Sequence, residues 1–393
     1  MKKLLFVTHE QFWPLSGGCT AGNFHILKYL ASHGFEVTIS TPLYTDVSSL
    51  EKEHGFKFKP FSPYYMHRGI KFRIIKYLGY GILSLFHLIK IFLNNKYDVV
   101  YVNNAVLSFP FLFLRPFLKS LLVIRYTDFL SGFLHEDKRC SYWLIKVLMY
   151  YEYRIAALFD KVFVITPAMK RSLCGKGNLP ESKVIVTFDG VDADVFNVNS
   201  FADAFRQVIR MDLNIPLDVR VVMFHGTVEP HHGEDILAGI ILELLRRDLS
   251  VHILLIGVGF SHLSIRDALK AEARVCILDF VPYERIPSYI NASDAGIIPY
   301  PKNESMDMVL TLKLLEYLSL GVRCITFDLD SIEEIFGQYD FVKISHSRGA
   351  FVDNIAFVLM EGKSKVSPGI IRQDFTWDKV AEKMRRVLSS YSK

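Results

Sequence analysis

The sequence lacks an apolar run long enough to span a bilayer. Its charge-free candidate Tyr77–Ile89 has 13 residues and ends at Lys90, whereas a crossing helix needs about 18–20. At the N-terminus only Leu4–Val7 is continuously apolar, short of the roughly 7–15 residues of a secretory signal core. The expectation is a cytoplasmic chain. Cysteines are few: Cys19, Cys140, Cys174, Cys276 and Cys324 are scattered, odd in number and without a Cys-x-x-Cys pair. That pattern argues against a disulfide framework or a thiolate zinc site and suits a reducing compartment. Glycine (23) and proline (15) are too sparse in 393 residues for a collagen-like or low-complexity chain. A content of 50% hydrophobic against 22% charged residues excludes disorder. The length predicts two or three domains with a large core.

The net charge is only +5, but it is unevenly placed. Residues 1–200 carry 24 Lys and Arg against 15 Asp and Glu; residues 201–393 carry 22 against 26. The basic excess gathers in Lys57–Lys76, interleaved with Phe, Tyr and Ile, and leads into Tyr77–Ile89. Such a mixture suits anionic lipid headgroups; the alternative is a solvated basic loop entering a buried helix. No nucleic-acid module accompanies it.

The rest reads as strands alternating with helices. Predicted strands are Leu4–Val7, Glu36–Ser40, Val99–Val102, Leu122–Arg125, Val162–Ile165 and Val184–Thr187. A second run gives Arg220–Phe224, Val251–Ile256, Arg274–Leu278, Ala295–Pro299 and Arg323–Phe327. Alternation of this kind implies α/β architecture, with parallel sheets covered on both faces. Two runs imply two doubly wound, Rossmann-like domains: 1–200, 201–372, and a terminal helix at 373–393 returning toward the first. Ligands of such sheets bind outside the carboxyl ends of the strands, and a cleft between two domains is the expected place.

Three motifs lie at strand ends. Ser16-Gly17-Gly18 precedes a helix over Ala21–Ser32, so Gly17 and Gly18 form either an anion-binding turn or a plain tight turn. Gly257-Val258-Gly259 follows a strand, but His262 stands where a dinucleotide fingerprint needs a third glycine, so an oxidoreductase is disfavoured. The stretch from Asp307 to Gly321 reads as loop, helix and glycine stop, with Thr311 as N-cap. Glu316, five residues on, lies roughly 7–8 Å along that helix. That is the distance from a phosphate at the helix start to a ribose diol. Glu316 therefore either binds ribose or faces solvent.

At these residues the chain resembles the retaining GT-B glycosyltransferases of the large group 1 / family 4 type, which includes sucrose synthases and phosphatidylinositol mannosyltransferases. The resemblance covers nearly the whole chain in six ordered segments: LLFVTHEQFWPLSGG, KVIVTFDGVDADVF (with Asp189 where Asn is usual), VVMFHGTVEPHHGEDIL, LDFVPYERIPSYINASDAGIIPY, LLEYLSLGVRCITFD and FTWDKVAEKMRRVL. It implies a hexosyltransferase with a UDP- or GDP-linked sugar as donor, retention of configuration, no cofactor and no metal. Gly17 and Gly18 would approach the donor diphosphate, and Val309, Leu310 and Thr311 would offer it backbone amides. Val281 would lie against the base and Glu316 on the ribose. Met308 stands where the family often has a second glutamate, and the usual basic pair is replaced by His231-His232. His232 is then a candidate phosphate donor, and Lys313 either reaches the diphosphate or stands exposed. Asp128, after the strand ending at Arg125, is a candidate base for the acceptor or a loop cap. Asn103 and Asn104 are candidate acceptor contacts. The expected partner is a saccharide or polyprenyl-linked acceptor at the inner membrane face. Alternatives are a degenerate GT-B scaffold and an epimerase-like enzyme of the same fold. The acidic pairs Asp192/Asp194 and Asp328/Asp330 resemble Asp-x-Asp metal motifs but sit in other contexts.

Overall fold

The computed structural model describes the chain except residues 11, 14–17, 43–45, 61–69, 137–140, 199–202, 228–231, 248–249, 258–268, 271, 363–368 and 392–393; at 18, 70–78, 80, 133, 136, 203–204 and 370 it describes the backbone alone. The chain divides into two units. One comprises Met1–Asp189 with Trp377–Lys393, the other Gly190–Thr376. The division thus falls at Asp189–Gly190 instead of 200, because Val191 already pairs with Thr376 in the second unit.

In the first unit the described strands are β1 (Lys2–Val7), β2 (Phe35–Ser40), β3 (Lys57–Phe58), β4 (Val99–Asn103), β5 (Leu121–Tyr126), β6 (Lys161–Val164) and β7 (Val184–Val186). They form one parallel sheet in the order β3-β2-β1-β4-β5-β6-β7. The second unit holds β8 (Arg220–His225), β9 (Val251–Ile256), β10 (Val275–Leu278), β11 (Ala295–Ile298), β12 (Arg323–Phe327) and β13 (Val342–Ser345). Its order is β10-β9-β8-β11-β12-β13, again parallel. The order in which strands are added reverses between β1 and β4 and between β8 and β11, the points where doubly wound sheets open a crevice at the carboxyl ends.

Leu4 to Val7, Leu121 to Ile124 and Ile253 to Leu255 are at most 1% exposed, as expected of strands covered on both faces. Each such side chain contributes roughly 1.5–3 kcal/mol of burial. In the first unit, helices Gly18–Ser32 and Trp377–Ser390 pack on each other. Gly22 makes their contact possible: a Cβ there would lie 2.5 Å from the Trp377 ring. Right-handed crossovers put the connections running back from β3 toward β7 on the opposite face. They include helix Ile70–Asn94, the segment Val106–Phe117, helices Leu130–Glu136 and Tyr142–Ile155, and helix Pro167–Gly175. In the second unit, Asp294 at the amino end of β11 ties helix Asp203–Asp212 to the sheet. Its carboxylate accepts from Arg206 (2.7 Å), Arg210 (2.8 Å) and the Val221 amide (2.8 Å). No described helix is long and apolar enough to cross a membrane.

Candidate active site

In the second unit the residues of interest converge at the carboxyl ends of β8 and β11. Helix Leu312–Ser319 begins after Thr311, whose extended backbone (φ −72°, ψ 133°) is that of an N-cap although its hydroxyl makes no capping bond. Leu314, Leu315, Tyr317 and Leu318 of that helix are fully buried. The packing carries Glu316 inside with them, 4% exposed, so it does not face solvent.

Two neighbours fix its carboxylate. His225, the last residue of β8, places Nε2 2.7 Å from Oε2, and the Tyr283 hydroxyl donates to Oε1 at 3.1 Å. Burial and the nearby Glu316 charge push the Tyr283 hydroxyl pKa up, which keeps its proton in place for donation. The direction of the remaining bonds can be read from a carbonyl that only accepts. The Tyr317 hydroxyl donates to Met223 O (3.1 Å), so its oxygen receives from His225 Nδ1 (2.9 Å). Nδ1 therefore carries a hydrogen, and Nε2 lies against the carboxylate at 2.7 Å. Each carboxylate oxygen keeps a lone pair for an incoming hydroxyl.

Lys313, one turn before Glu316, donates to the Tyr300 hydroxyl (2.7 Å) and lies over the Tyr300 and Phe224 rings. It is therefore held in the site and not displayed on the surface. Gly226, with φ +114°, makes the room: a Cβ there would fall 2.2 Å from the Lys313 side chain. His232 also stacks on Tyr300, ring centres 5.0 Å apart. Gly233 after it, at φ +79°, opens helix Glu234–Arg246. A stacked histidine, a lysine and the starts of two helices thus share one strand-end region, a setting that favours anions.

Of the three backbone amides expected there, Val309 drops out, since its N–H already donates to Met306 O (3.1 Å) in a tight turn. Leu310 and Thr311 remain at the helix start. Val309 O accepts from Ser331 Oγ (2.6 Å), and Met308 is buried. Val281 follows β10, partly exposed. Of the acidic pairs, Asp192 caps its own turn through the amides of Asp194 (3.0 Å) and Val195 (3.2 Å). Lys302 sits 3.7 Å from Asp328 and 3.0 Å from Asp330.

In the first unit, Gly18 is the first residue of helix Gly18–Ser32, while Gly17 lies outside the described residues. Asp128 follows β5. Its Oδ1 receives from Asn104 Nδ2 (3.4 Å), and the same amide grips Thr127 through the backbone N–H (3.0 Å). Asn104 adopts φ +57°, a conformation asparagine tolerates better than most residues. Asn103 is wholly buried, within reach of Thr8 (3.4 Å) and Cys19 (3.5 Å). The two asparagines therefore tie the strand ends together, and Asn103 does not line an open acceptor pocket as the sequence suggested. Burial first, then the charges of Glu10, Glu152 and Asp189, raise the Asp128 carboxyl to about 7. Beneath it the fully buried Arg125 is bonded to Asp189 at 2.5 Å. That pair explains Asp189, where the family has Asn: the carboxylate neutralises a buried guanidinium.

The sequence matches the models of Glycosyltransferase Family 4 over residues 16–195 and of Glycosyl transferases group 1 over residues 219–361. The chain belongs to this glycosyltransferase family. It is 21% identical to an uncharacterised glycosyltransferase of Methanocaldococcus jannaschii, the alignment covering 97% of this chain and 96% of that one. Among solved structures, sucrose-phosphate synthase from Thermosynechococcus elongatus superposes with a TM-score of 0.80 at 14% identity, covering 99% of this chain and 98% of that one. Anabaena HepE, solved with UDP and glucose, gives 0.73 at 16% identity, with all of both chains covered. The architecture of this glycosyltransferase is accordingly GT-B.

Proposed function

We propose that this glycosyltransferase moves a hexose from a UDP- or GDP-linked donor to a saccharide or polyprenyl-linked acceptor, with retention of configuration and without a metal. The observation that carries the donor assignment is Glu316, buried at the end of β8 and oriented by His225 and Tyr283. In this reading both ribose hydroxyls donate to Glu316, and Val281 lies against the base. The diphosphate meets the amides of Leu310 and Thr311, the Lys313 ammonium and His232. Gly18, at the start of its helix, is proposed as a further diphosphate contact. A UDP complex of a protein with the same fold supports the choice of ligand class.

In the reaction the bond between the anomeric carbon and the diphosphate oxygen breaks, and its electron pair leaves with the phosphate. The acceptor oxygen bonds to the same carbon on the same face, and its proton passes to Asp128. A carboxyl near 7 is well matched to that transfer at neutral pH. Lys313 and the helix start offset the charge that grows on the leaving group. The acceptor is proposed to be presented at a membrane.

The test is thermal stability with UDP, GDP, ADP and NAD. A ligand at about 100 times its Kd adds about 2.7 kcal/mol. A melting shift with one nucleoside diphosphate, lost in Glu316→Gln, is expected. No shift with any diphosphate would favour a degenerate scaffold, and a shift with NAD alone would overturn the assignment.

A further inference from the structure

In the first unit, the layer made by helix Ile70–Asn94, the segment Val106–Phe117 and helix Tyr142–Ile155 is continuous. Gly81 sits against the Phe109 ring, the Tyr151 hydroxyl donates to Ala105 O (3.1 Å), and Arg115 donates to Leu158 O (3.1 Å). Each element buries some apolar side chains, as Leu88, Phe111 and Ile145 show. Each also carries an apolar side that faces water. On the first helix, positions 82, 83, 86, 89 and 93 recur at helical spacing, and all are exposed. The most prominent residues across the three elements are Phe86 (67% exposed), Leu93 (82%), Phe117 (83%) and Trp143 (72%).

Within the three elements the described exposed charge has one sign, and Asp160 beside them is paired with Arg115 at 2.7 Å. Exposed Lys90, Lys119, Lys146 and Arg154 stand in or beside the layer. The only acid within the three elements, Glu152, is buried. Lys146 and Arg154 lie over the rings of Tyr142 and Tyr150. Aromatic side chains with apolar neighbours and cations, and no exposed carboxylate within the three elements, match the interface of an anionic bilayer. We propose that this layer is the docking surface of the protein on anionic lipid. The inference rests on the membrane reading above and places the contact on the described helices of this layer, beyond the basic run at 57–76. Phe86, Phe117 and Trp143 would enter the headgroup boundary while the lysines meet phosphates.

The experiment uses the full chain with vesicles of phosphatidylcholine alone or mixed with phosphatidylglycerol. Co-sedimentation with the anionic vesicles, weakened by salt, is expected. Trp143 is the exposed one of three tryptophans, so its emission should shift to the blue on binding and the shift should vanish in Trp143→Phe. Phe86→Ser with Phe117→Ser, and separately Lys90→Glu with Lys146→Glu, should each weaken partitioning at least about tenfold. Both variants should keep the melting shift given by a nucleoside diphosphate. Lost vesicle binding with that shift retained supports the surface. If the serine variant loses its fold, the exposed charge reversals decide alone. Absence of binding by the wild type, or equal binding by the variants, overturns the proposal whatever the nucleotide result. So does a dimer in sedimentation equilibrium that the serine variant dissociates, because the layer would then pair with a second copy.

Discussion

Asp128 shares its surroundings with Glu10, Glu152 and Asp189, and burial adds to their effect on its carboxyl. Its proton is consequently held more firmly in the folded chain than in the unfolded one, where an aspartate titrates near 3.9. A group with a raised folded pKa stabilises the fold fully below its unfolded pKa and loses that contribution as pH rises through about 7. Asp128→Asn is permanently neutral and keeps the oxygen that receives from Asn104. Its melting temperature relative to wild type should therefore climb between pH 5 and pH 8, by up to several degrees. Sugar transfer should be lost at every pH, while in the wild type it should rise from pH 6 to 8. A pH-independent difference in melting would remove the shifted carboxyl. Glu152 behaves in the same direction, also reaching about 7, because burial outweighs the bonds it accepts from Ser131 and Leu130. The wild-type slope therefore has two sources, and only the difference between the two proteins isolates Asp128.

The joint at Asp294 shows how one side chain can place an entire helix. Arg210 is 2% exposed and donates to Asp294 as well as to the carbonyls of Ala292 and Val219. Asp294→Ala would leave that guanidinium buried without its counter-charge, a loss of about 3–5 kcal/mol. Denaturant unfolding measures it, and an effect below about 1 kcal/mol would show that the carbonyls suffice. The strands on either side of this joint were legible because doubly covered parallel strands are short unbroken apolar runs. β3 was not, having two residues beside charges, and β13 (Val342–Ser345) was hidden by Lys343 in its middle. The same contrast holds in the site. Thr311, Lys313 and Glu316 sit at fixed spacing on one helix, so sequence exposes them together. His225, Gly226, Tyr283 and Tyr300 come from separate strand ends and loops, and only the three-dimensional closure joins them. Val309 was misassigned since a local turn had already engaged its amide. The reading of helix Ile70–Asn94 stayed divided between lipid contact and a buried helix, because hydrophobicity along a chain does not say which side meets water.

At the scale of the whole molecule the chain leaves its first unit after Asp189 and comes back to it at Trp377. Trp377 is 4% exposed and lies over Gly22 with its ring parallel to that of His25 at 6.1 Å. Trp377→Ala should cost about 3–5 kcal/mol. Hydrogen exchange should report the loss in helix Gly18–Ser32, and unchanged protection there would show that the tryptophan is not what holds the two helices. Further along, Glu382 links Tyr29 (3.0 Å) to Arg385, and Lys2 donates to the carbonyls of Ser389 and Tyr391. The return sets an order of events during synthesis. Helix Gly18–Ser32 is made before the second unit, yet the tryptophan that covers its glycine is made only after it. The first unit must therefore wait, with one flank bare, while the entire second unit is translated. A nascent chain halted near residue 370 would carry that bare flank, and a chaperone recognising apolar helical surface would find its substrate there.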